Sequence, residues 1–431
     1  MTKNSIRIVL FALGLGVGVQ PALCQGSPPS IESIREEAEA QVARRTRAIE
    51  AQVRSALILF RQKGILVTED RLADERSALA ALGPGAIPPL VAAFRKETST
   101  GVLDQIGRTL LQACEQGSVS PDDLSEQLFP VLLDKNDKRV ASAAVLLGHL
   151  NSESARAPLM ALLSDSSRTD VYAAALTALA RLGDTSVHEA LIAGLASTSP
   201  EVRIAALEGL GLLGRPQDAK AVVKLLQDSN AKVVISALHA LAPMASNITA
   251  MKGLHEVLKS DNDEFVRIAA QVLGQIGNKS LSAAPLRRVV ADDKRPWELR
   301  VDVAKILFQD FDDRTGLNEL SKVFKIQIAR NSRNAQAQAA FGDFLASFPS
   351  WADAARRYEA AINLSKNKAV RSNLRIRLAR CYARLGKTSK AAIQLERSSL
   401  GKDWTSLADD PAFEALRKSR KYGPRFGTPR K

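Results

Sequence analysis

The clearest pattern along the chain is a Leu followed by a small residue, which recurs about every 32 residues. A fixed period of this size predicts a repeat array in which each unit is one helical hairpin. The surrounding apolar positions follow helix spacing, and no stretch alternates as a strand would. The five clearest occurrences are Leu147-Gly148, Leu179-Ala180, Leu210-Gly211, Leu241-Ala242 and Leu273-Gly274.

Each repeat divides into two predicted helices. Glycine suits the end of the first helix, because it adopts the left-handed conformation without steric cost. The second helix carries an apolar pair such as Leu225-Leu226, and a polar loop then closes the unit. The first helices begin near Val171, Val202, Val233 and Phe265, and end at Gly183, Gly214, Ala245 and Gly277.

Weaker units around Leu79, Leu111 and Ile306 extend the frame to about eight hairpins over residues 71–328. The 32-residue spacing is interrupted in two places. Residues 118–123 form an insertion before Leu147, and the unit around Met244 has an unusual end.

These units resemble bacterial HEAT repeats. The match is closest at residues 201–214 (EVRIAALEGLGLLG), and residues 265–277 (FVRIAAQVLGQIG) repeat it in register. The resemblance covers residues 71–328 and implies a right-handed superhelix whose concave face is lined by the second helices. Candidate contact residues on that face are Lys224, Gln227, Glu256 and Lys259.

Residues 333–400 resemble two tetratricopeptide units, so the expected fold is an all-α solenoid of about eight HEAT-like hairpins followed by two tetratricopeptide-like hairpins. Residues 401–431 then predict a short capping helix at 410–416 and a disordered basic tail from Lys418. The tetratricopeptide spacing is carried by Phe341, Gly342, Leu345, Ala354, Tyr358 and Ala361, and again by Leu378, Ala379, Tyr382, Leu385, Ala391 and Leu395.

The N-terminus has the pattern of a secretory signal peptide over residues 1–26. Lys3 and Arg7 precede an apolar run at 8–19 that is too short to span a bilayer. We expect cleavage after Cys24 or Gly26 and export to the periplasm or the medium, with a signal anchor or a lipidated Cys24 as the alternative. Residues 31–64 predict a polar helix that either caps the array or pairs with another helix.

The net charge of +14 is concentrated at the C-terminal end, where residues 365–431 hold 18 Lys or Arg against five Asp or Glu. Arg377, Arg380 and Arg384 lie on one helix face at i, i+3 and i+7, and Lys387 continues this basic stripe. With Arg420 and Lys421, the stripe is either a solvated flank or a surface for an acidic partner, an anionic lipid surface or a nucleic acid. The nearly neutral repeat array, the few aromatic residues and the export signal count against nucleic acid.

Catalytic motifs are absent from the sequence pattern. The GxGxxG match at residues 209–214 ends a repeat helix, so we interpret it as helix packing rather than a dinucleotide site. Cys114 and Cys381 occupy apolar positions and are expected to be buried free thiols, and the histidines lack metal-ligand spacing. No catalytic residue, cofactor or metal is therefore predicted.

The sequence predicts an exported, non-catalytic scaffold that binds protein partners on its concave surface. Two alternatives stay open. One is an enzyme, because the array also resembles the HEAT-like repeats of phycobilin lyases. The other is binding of an anionic surface or a nucleic acid through the basic C-terminal end.

Overall fold

The computed structural model describes residues 31–62 and 67–427, which contain 22 α-helices, several short 3-10 turns and no strand. The prediction of an all-α solenoid is confirmed. The predicted signal peptide, the linker after it, Gly64 and residues 428–431 lie outside the described residues.

After the N-terminal helix α1 (Ile31–Arg61), the helices follow one another as ten consecutive pairs joined by short turns. The first five pairs are α2 (Glu69–Ala80) with α3 (Ile87–Phe94), α4 (Thr100–Glu115) with α5 (Pro121–Leu128), α6 (Asp137–Leu150) with α7 (Arg156–Leu162), α8 (Thr169–Arg181) with α9 (His188–Gly194), and α10 (Pro200–Leu213) with α11 (Ala219–Val223). The next five are α12 (Ala231–Ala240) with α13 (Ile248–Val257), α14 (Asp263–Ile276) with α15 (Lys279–Ala291), α16 (Trp297–Phe311) with α17 (Thr315–Arg330), α18 (Ala335–Ala346) with α19 (Trp351–Leu364), and α20 (Lys368–Arg384) with α21 (Thr388–Glu396), before the short α22 (Glu414–Arg417).

The described residues divide into two compact units, of which one comprises residues 31–62, 67–96 and 108–119 and the other residues 97–107 and 120–427. In the first unit, the C-terminal half of α1 packs against α2 and α3. This packing buries Ile49, Val53 and Phe60, whereas Val42 in the other half of the helix is 55% exposed. Apolar residues of α1 are therefore buried only in the second half of the helix.

In the second unit, successive first helices meet at the small residue of the repeated motif. A Cβ atom on Gly148 of α6 would lie 2.7 Å from the Cα of Ala178 in α8. A Cβ atom on Gly211 of α10 would lie 3.2 Å from the Cα of Ala240 in α12. The small residue is therefore required because two helix backbones approach closely there. The Leu that precedes it is fully buried at each of the five sites, namely Leu147, Leu179, Leu210, Leu241 and Leu273.

Helix ends follow the glycine pattern with one exception. Gly183, Gly214 and Gly277 have φ values of 68°, 61° and 72°, as a left-handed helix end requires. Ala245 was the expected end of α12, but that expectation is wrong, since the helix already ends at Ala240. Pro243 is the reason, because proline has no N–H to donate and disfavours helical backbone in the residue before it.

Arginine–aspartate pairs join neighbouring elements of the second unit. Nε and Nη2 of Arg203 lie 2.8 Å and 2.9 Å from the two carboxylate oxygens of Asp228, and Nη1 donates to the carbonyl of Ser197. These donors hold the pKa of Asp228 below its ordinary value of 3.8, against the effect of burial. Further pairs are Arg168–Asp137, Arg267–Asp302, Arg287–Asp313 and Arg295–Asp263.

Replacement of Gly148 by Ala tests the close helix contact. The added Cβ meets the backbone of Ala178, so overpacking of about 1–3 kcal/mol is expected to outweigh the gain of about 1 kcal/mol in helix propensity. We expect the free energy of unfolding, measured by urea denaturation with circular dichroism, to fall by about 1–2 kcal/mol. The matched control is Gly107→Ala in α4, where the nearest atom is Cδ2 of Leu146 at 4.0 Å. That variant should be as stable as the wild type or slightly more stable, and equal stability of the two variants would contradict the proposed contact.

Replacement of Asp228 by Asn tests the arginine–aspartate pair. Because the folded-state pKa of Asp228 is lowered, its stabilising effect is fully present above pH 3.8 and is lost as the pH falls through the lower folded-state pKa. At pH 7 we expect Asp228→Asn to lower the free energy of unfolding by about 1.5–3 kcal/mol. Below pH 3.8 the difference from the wild type should shrink in urea denaturation experiments. A difference that stays constant down to pH 2 would contradict this assignment.

Candidate functional site

The basic stripe predicted on α20 forms, but internal ion pairs hold two of its charges. Nη1 of Arg377 lies 2.5 Å from Oδ2 of Asp343 on α18, and Nε of Arg380 lies 2.6 Å from Oδ2 of Asp410. Arg384 and Lys387 are exposed, and no ion pair of theirs occurs among the described residues. The stripe therefore fastens α20 to its neighbours and leaves only its C-terminal end free for a partner.

Asp343 is the centre of a small polar network beneath this stripe. Besides the bond from Arg377, it accepts a hydrogen bond of 2.8 Å from the hydroxyl of Tyr358. Burial raises the pKa of Tyr358, and the bond to Asp343 raises it further. Burial also raises the pKa of Cys381 to about 12, so this buried free thiol is not available as a thiolate near neutral pH.

The C-terminal segment departs from the expected disordered tail, since residues 418–427 are folded. Phe426 is 3% exposed and joins an apolar cluster with Trp404 and Phe413. The backbone N–H of Trp404 donates to the carbonyl of Arg425 over 2.7 Å, which fixes the returning chain. The prediction of disorder is wrong. Gly, Pro and charged residues favour disorder, but burial of the Phe426 ring holds this segment in a folded conformation. Arg430 and Lys431 lie outside the described residues.

The remaining predicted tail residues, Arg420 and Lys421, are exposed beside this cluster. Nζ of Lys421 lies 5.2 Å from the ring centre of Tyr422. Within the described chain, no hydrogen bond or ion pair joins either residue to the stripe on α20.

Arg425 is a structural residue that the sequence pattern did not single out. Its guanidinium lies over the ring of Trp404, 4.7 Å from the ring centre, and it also pairs with Glu396 on α21. Only the packed structure reveals this role, because Trp404 and Glu396 lie 21 and 29 residues away along the chain.

A groove lies between the second helices of two neighbouring repeats, α13 and α15. Its floor includes the buried Val289, and two of the four candidate contact residues, Glu256 and Lys259, lie on its rim, where they form an exposed ion pair of 2.7 Å. The other two candidates, Lys224 and Gln227, are exposed on the preceding repeat but do not line the groove.

The polar atoms of the groove are incompletely satisfied. Nε2 of His255 is buried without a hydrogen-bond partner among the described residues. Burial lowers the pKa of His255 and Lys259 acts in the same direction, whereas Glu256 opposes them. Pro285 lies inside α15 and has no N–H, so the helix lacks one backbone hydrogen bond here. Arg288 is exposed on the same wall. The groove thus offers an apolar floor and charges of both signs, and one of its lining residues holds a buried ring nitrogen without a hydrogen-bond partner.

The GxGxxG match is confirmed as helix packing. Gly209 lies inside α10, where a Cβ atom would stand 2.4 Å from Cδ2 of Leu191, and Gly214 ends that helix. The imidazole of His188 is paired with Asp218, with Nε2 3.0 Å from both carboxylate oxygens. Among residues 31–62 and 67–427, no group of three or more His, Cys, Asp or Glu side chains is placed to hold a metal ion.

No single helix in the described part of the chain is long and apolar enough to cross a membrane. One bent pair, Glu69–Ala80 with Gly83–Phe94 at 113°, passes the same test by length and composition.

Comparison with known proteins supports the repeat assignment. Residues 157–242 and 188–274 match a family model of HEAT repeats. No curated protein matches the sequence.

Similar solved structures are helical-repeat proteins with low sequence identity. The complex of CpcE and CpcF of phycocyanin lyase from Nostoc sp. is 20% identical, with a TM-score of 0.34, and the match covers 55% of this chain and 92% of that one. An engineered protein is 18% identical, with a TM-score of 0.36 and coverage of 80% and 99%. Human deoxyhypusine hydroxylase in complex with glycerol is 19% identical, with a TM-score of 0.27 and coverage of 62% and 97%. The chain thus contains HEAT repeats within an all-α solenoid.

Proposed function

We propose that this chain is an exported, non-catalytic scaffold that binds protein partners along the surface of its second helices. One observation carries the proposal. The second helices α13 and α15 lie side by side around a groove whose rim is charged, while the first helices pack through buried leucines and glycines. Because this surface is already ordered, binding of a partner carries no free-energy cost for ordering it.

The chemistry of the groove favours a polar polypeptide as the partner. Glu256, Lys259 and Arg288 present both signs of charge within one groove, which suits the alternating polar groups of a protein surface. HEAT arrays bear their second helices on the concave side, so neighbouring repeats would extend the same contact surface.

The last two hairpins are proposed to be tetratricopeptide units that continue this scaffold. Gly342 of α18 lies directly against the ring of Tyr358 in α19, where a Cβ atom would stand 2.7 Å from the ring. A small residue facing a large one in the paired helix is the packing that the proposed repeat motif requires. Buried Leu378 and Ala391 occupy the corresponding apolar positions of α20 and α21.

Export is proposed from the sequence of residues 1–26 alone. Two positive charges, a short apolar run and a region of small residues occur there in the order of a secretory signal. The two free cysteines of the described chain are compatible with an oxidising compartment, because Cys381 is buried and burial raises the pKa of Cys114.

The contact surface is tested by affinity capture with charge-reversed variants. We expect Lys259→Glu combined with Arg288→Glu to lose at least tenfold of the partner that the wild-type protein recovers from its own cell-envelope extract. The reason is that both charges lie in the groove. The amount of the same partner is measured by quantitative mass spectrometry.

Lys232→Glu combined with Lys305→Glu is the matched control, because it makes the same charge change on first helices. Equal recovery by the two double variants would contradict the groove as the contact surface. Loss of recovery only in Arg420→Glu combined with Lys421→Glu would instead support the basic C-terminal end.

The export proposal predicts a shortened N-terminus. Intact mass and N-terminal sequencing of the protein from its own cells should give a chain that begins after Cys24 or Gly26. A cytosolic protein that retains Lys3 and Arg7 would contradict export. A lipid-modified Cys24 would support the anchored alternative.

A further inference from the structure

A second groove lies where the start of α20 meets the turn that follows α21. Its basic lining residues are Lys368, Arg371, Arg375 and Arg397, and its volume is about 550 Å³. No carboxylate lines this groove. None of the four cations forms an ion pair among the described residues, in contrast to Arg377 and Arg380 on the same helix.

The helix geometry separates these charges from the predicted stripe. Lys368, Arg371 and Arg375 occupy positions i, i+3 and i+7, so they fall within about 60° of one helix face. At 100° per residue, the centre of this face lies about 180° from that of Arg377, Arg380 and Arg384. The face of α20 opposite the stripe therefore carries three positive charges that no carboxylate neutralises among the described residues.

Three further features make the groove suitable for an anion. Nε of Arg371 is buried and has no hydrogen-bond acceptor in the described part of the chain. The hydroxyl of Ser372 donates to that of Ser399 over 2.8 Å and accepts from the backbone N–H of Ser399, so the Ser399 hydroxyl keeps its proton for an anion on the wall. In addition, the N-terminal end of the 17-residue helix α20 reaches the groove at Lys368 and Ala369, and its dipole favours negative charge.

We propose that this groove binds a phosphate group carried by a larger molecule. A carboxylate has two oxygens and is satisfied by one guanidinium fork, whereas a phosphate monoester has three acceptor oxygens and up to two negative charges. Three guanidiniums, one ammonium and the hydroxyl of Ser399 therefore match phosphate better than a single carboxylate. The volume exceeds what a bare phosphate needs, so the remainder of the ligand occupies the rest of the groove.

The site is independent of the proposed scaffold function. It lies on α20 and after α21, whereas the proposed partner groove lies between α13 and α15. Loss of phosphate binding would therefore leave the protein-partner proposal untouched, and the converse also holds.

The test is titration of the full chain with inorganic pyrophosphate at constant ionic strength, followed by calorimetry. We expect the wild type to bind and Arg371→Gln to bind at least tenfold more weakly. Lys368→Gln removes an exposed charge of the same groove and should also weaken binding, which guards against a folding defect at Arg371. Arg384→Gln is the matched control, because it removes one exposed charge from the opposite face of α20, and its affinity should stay within twofold of the wild type.

A second arm identifies the source of the phosphate. Vesicles of phosphatidylglycerol and of phosphatidylcholine are compared by co-sedimentation. Binding to the anionic vesicles that pyrophosphate displaces and Arg371→Gln abolishes would support a lipid headgroup. Binding of pyrophosphate without vesicle binding would support a soluble phosphate-bearing ligand.

Three results would overturn the proposal. The first is a wild-type protein that binds neither pyrophosphate nor anionic vesicles. The second is an equal loss in Arg371→Gln and Arg384→Gln, which would indicate general charge attraction. The third is tighter binding of a glutamate-rich peptide than of pyrophosphate, which would assign the groove to an acidic protein segment.

Discussion

The close approach of successive first helices is the constraint on which the rest of the second unit depends. At Gly148 there is no room for a Cβ atom, because the backbone of the next first helix occupies that space, and at Gly211 the space is tight for the same reason. The Leu before each glycine is fully buried and fills the adjoining core. Apolar burial of this kind contributes about 25 cal/mol per Å², and it is available only while the two helices remain in contact. Each repeat therefore depends on its neighbour for its own core.

Ion pairing, more than amino-acid composition, decides where positive charge remains unneutralised on this protein. In the repeat array, several arginines such as Arg203 lie beside an aspartate that neutralises their charge. The same rule extends into the basic C-terminal end, where Asp343 and Asp410 hold Arg377 and Arg380. Unpaired positive charge is therefore confined to fewer places than the net charge suggests. The groove beside Arg371 is one of these places.

The helical repeat could be predicted because its period is local in sequence, and so could the left-handed glycine at Gly214. The prediction for the end of α12 is wrong because it followed the repeat spacing, which places the end at Ala245, although Pro243 ends the helix earlier. Which arginines are free could not be predicted, since partners such as Asp343 lie 34 residues from Arg377. The groove between α13 and α15 was foreseen only as a face of second helices, because its shape depends on how two repeats are spaced.

The folded C-terminal segment sets a limit to the array. Trp404 and Phe413 pack in one cluster with Ala391 and Leu395 of the last hairpin. This is the flank on which one more hairpin would otherwise stack, since every earlier hairpin of the second unit offers its apolar flank to the next. An open flank would also be adhesive toward a second copy of the chain. The aromatic cluster thus covers the apolar flank of the last hairpin, which leaves less exposed apolar surface on which a second copy of the chain could stack.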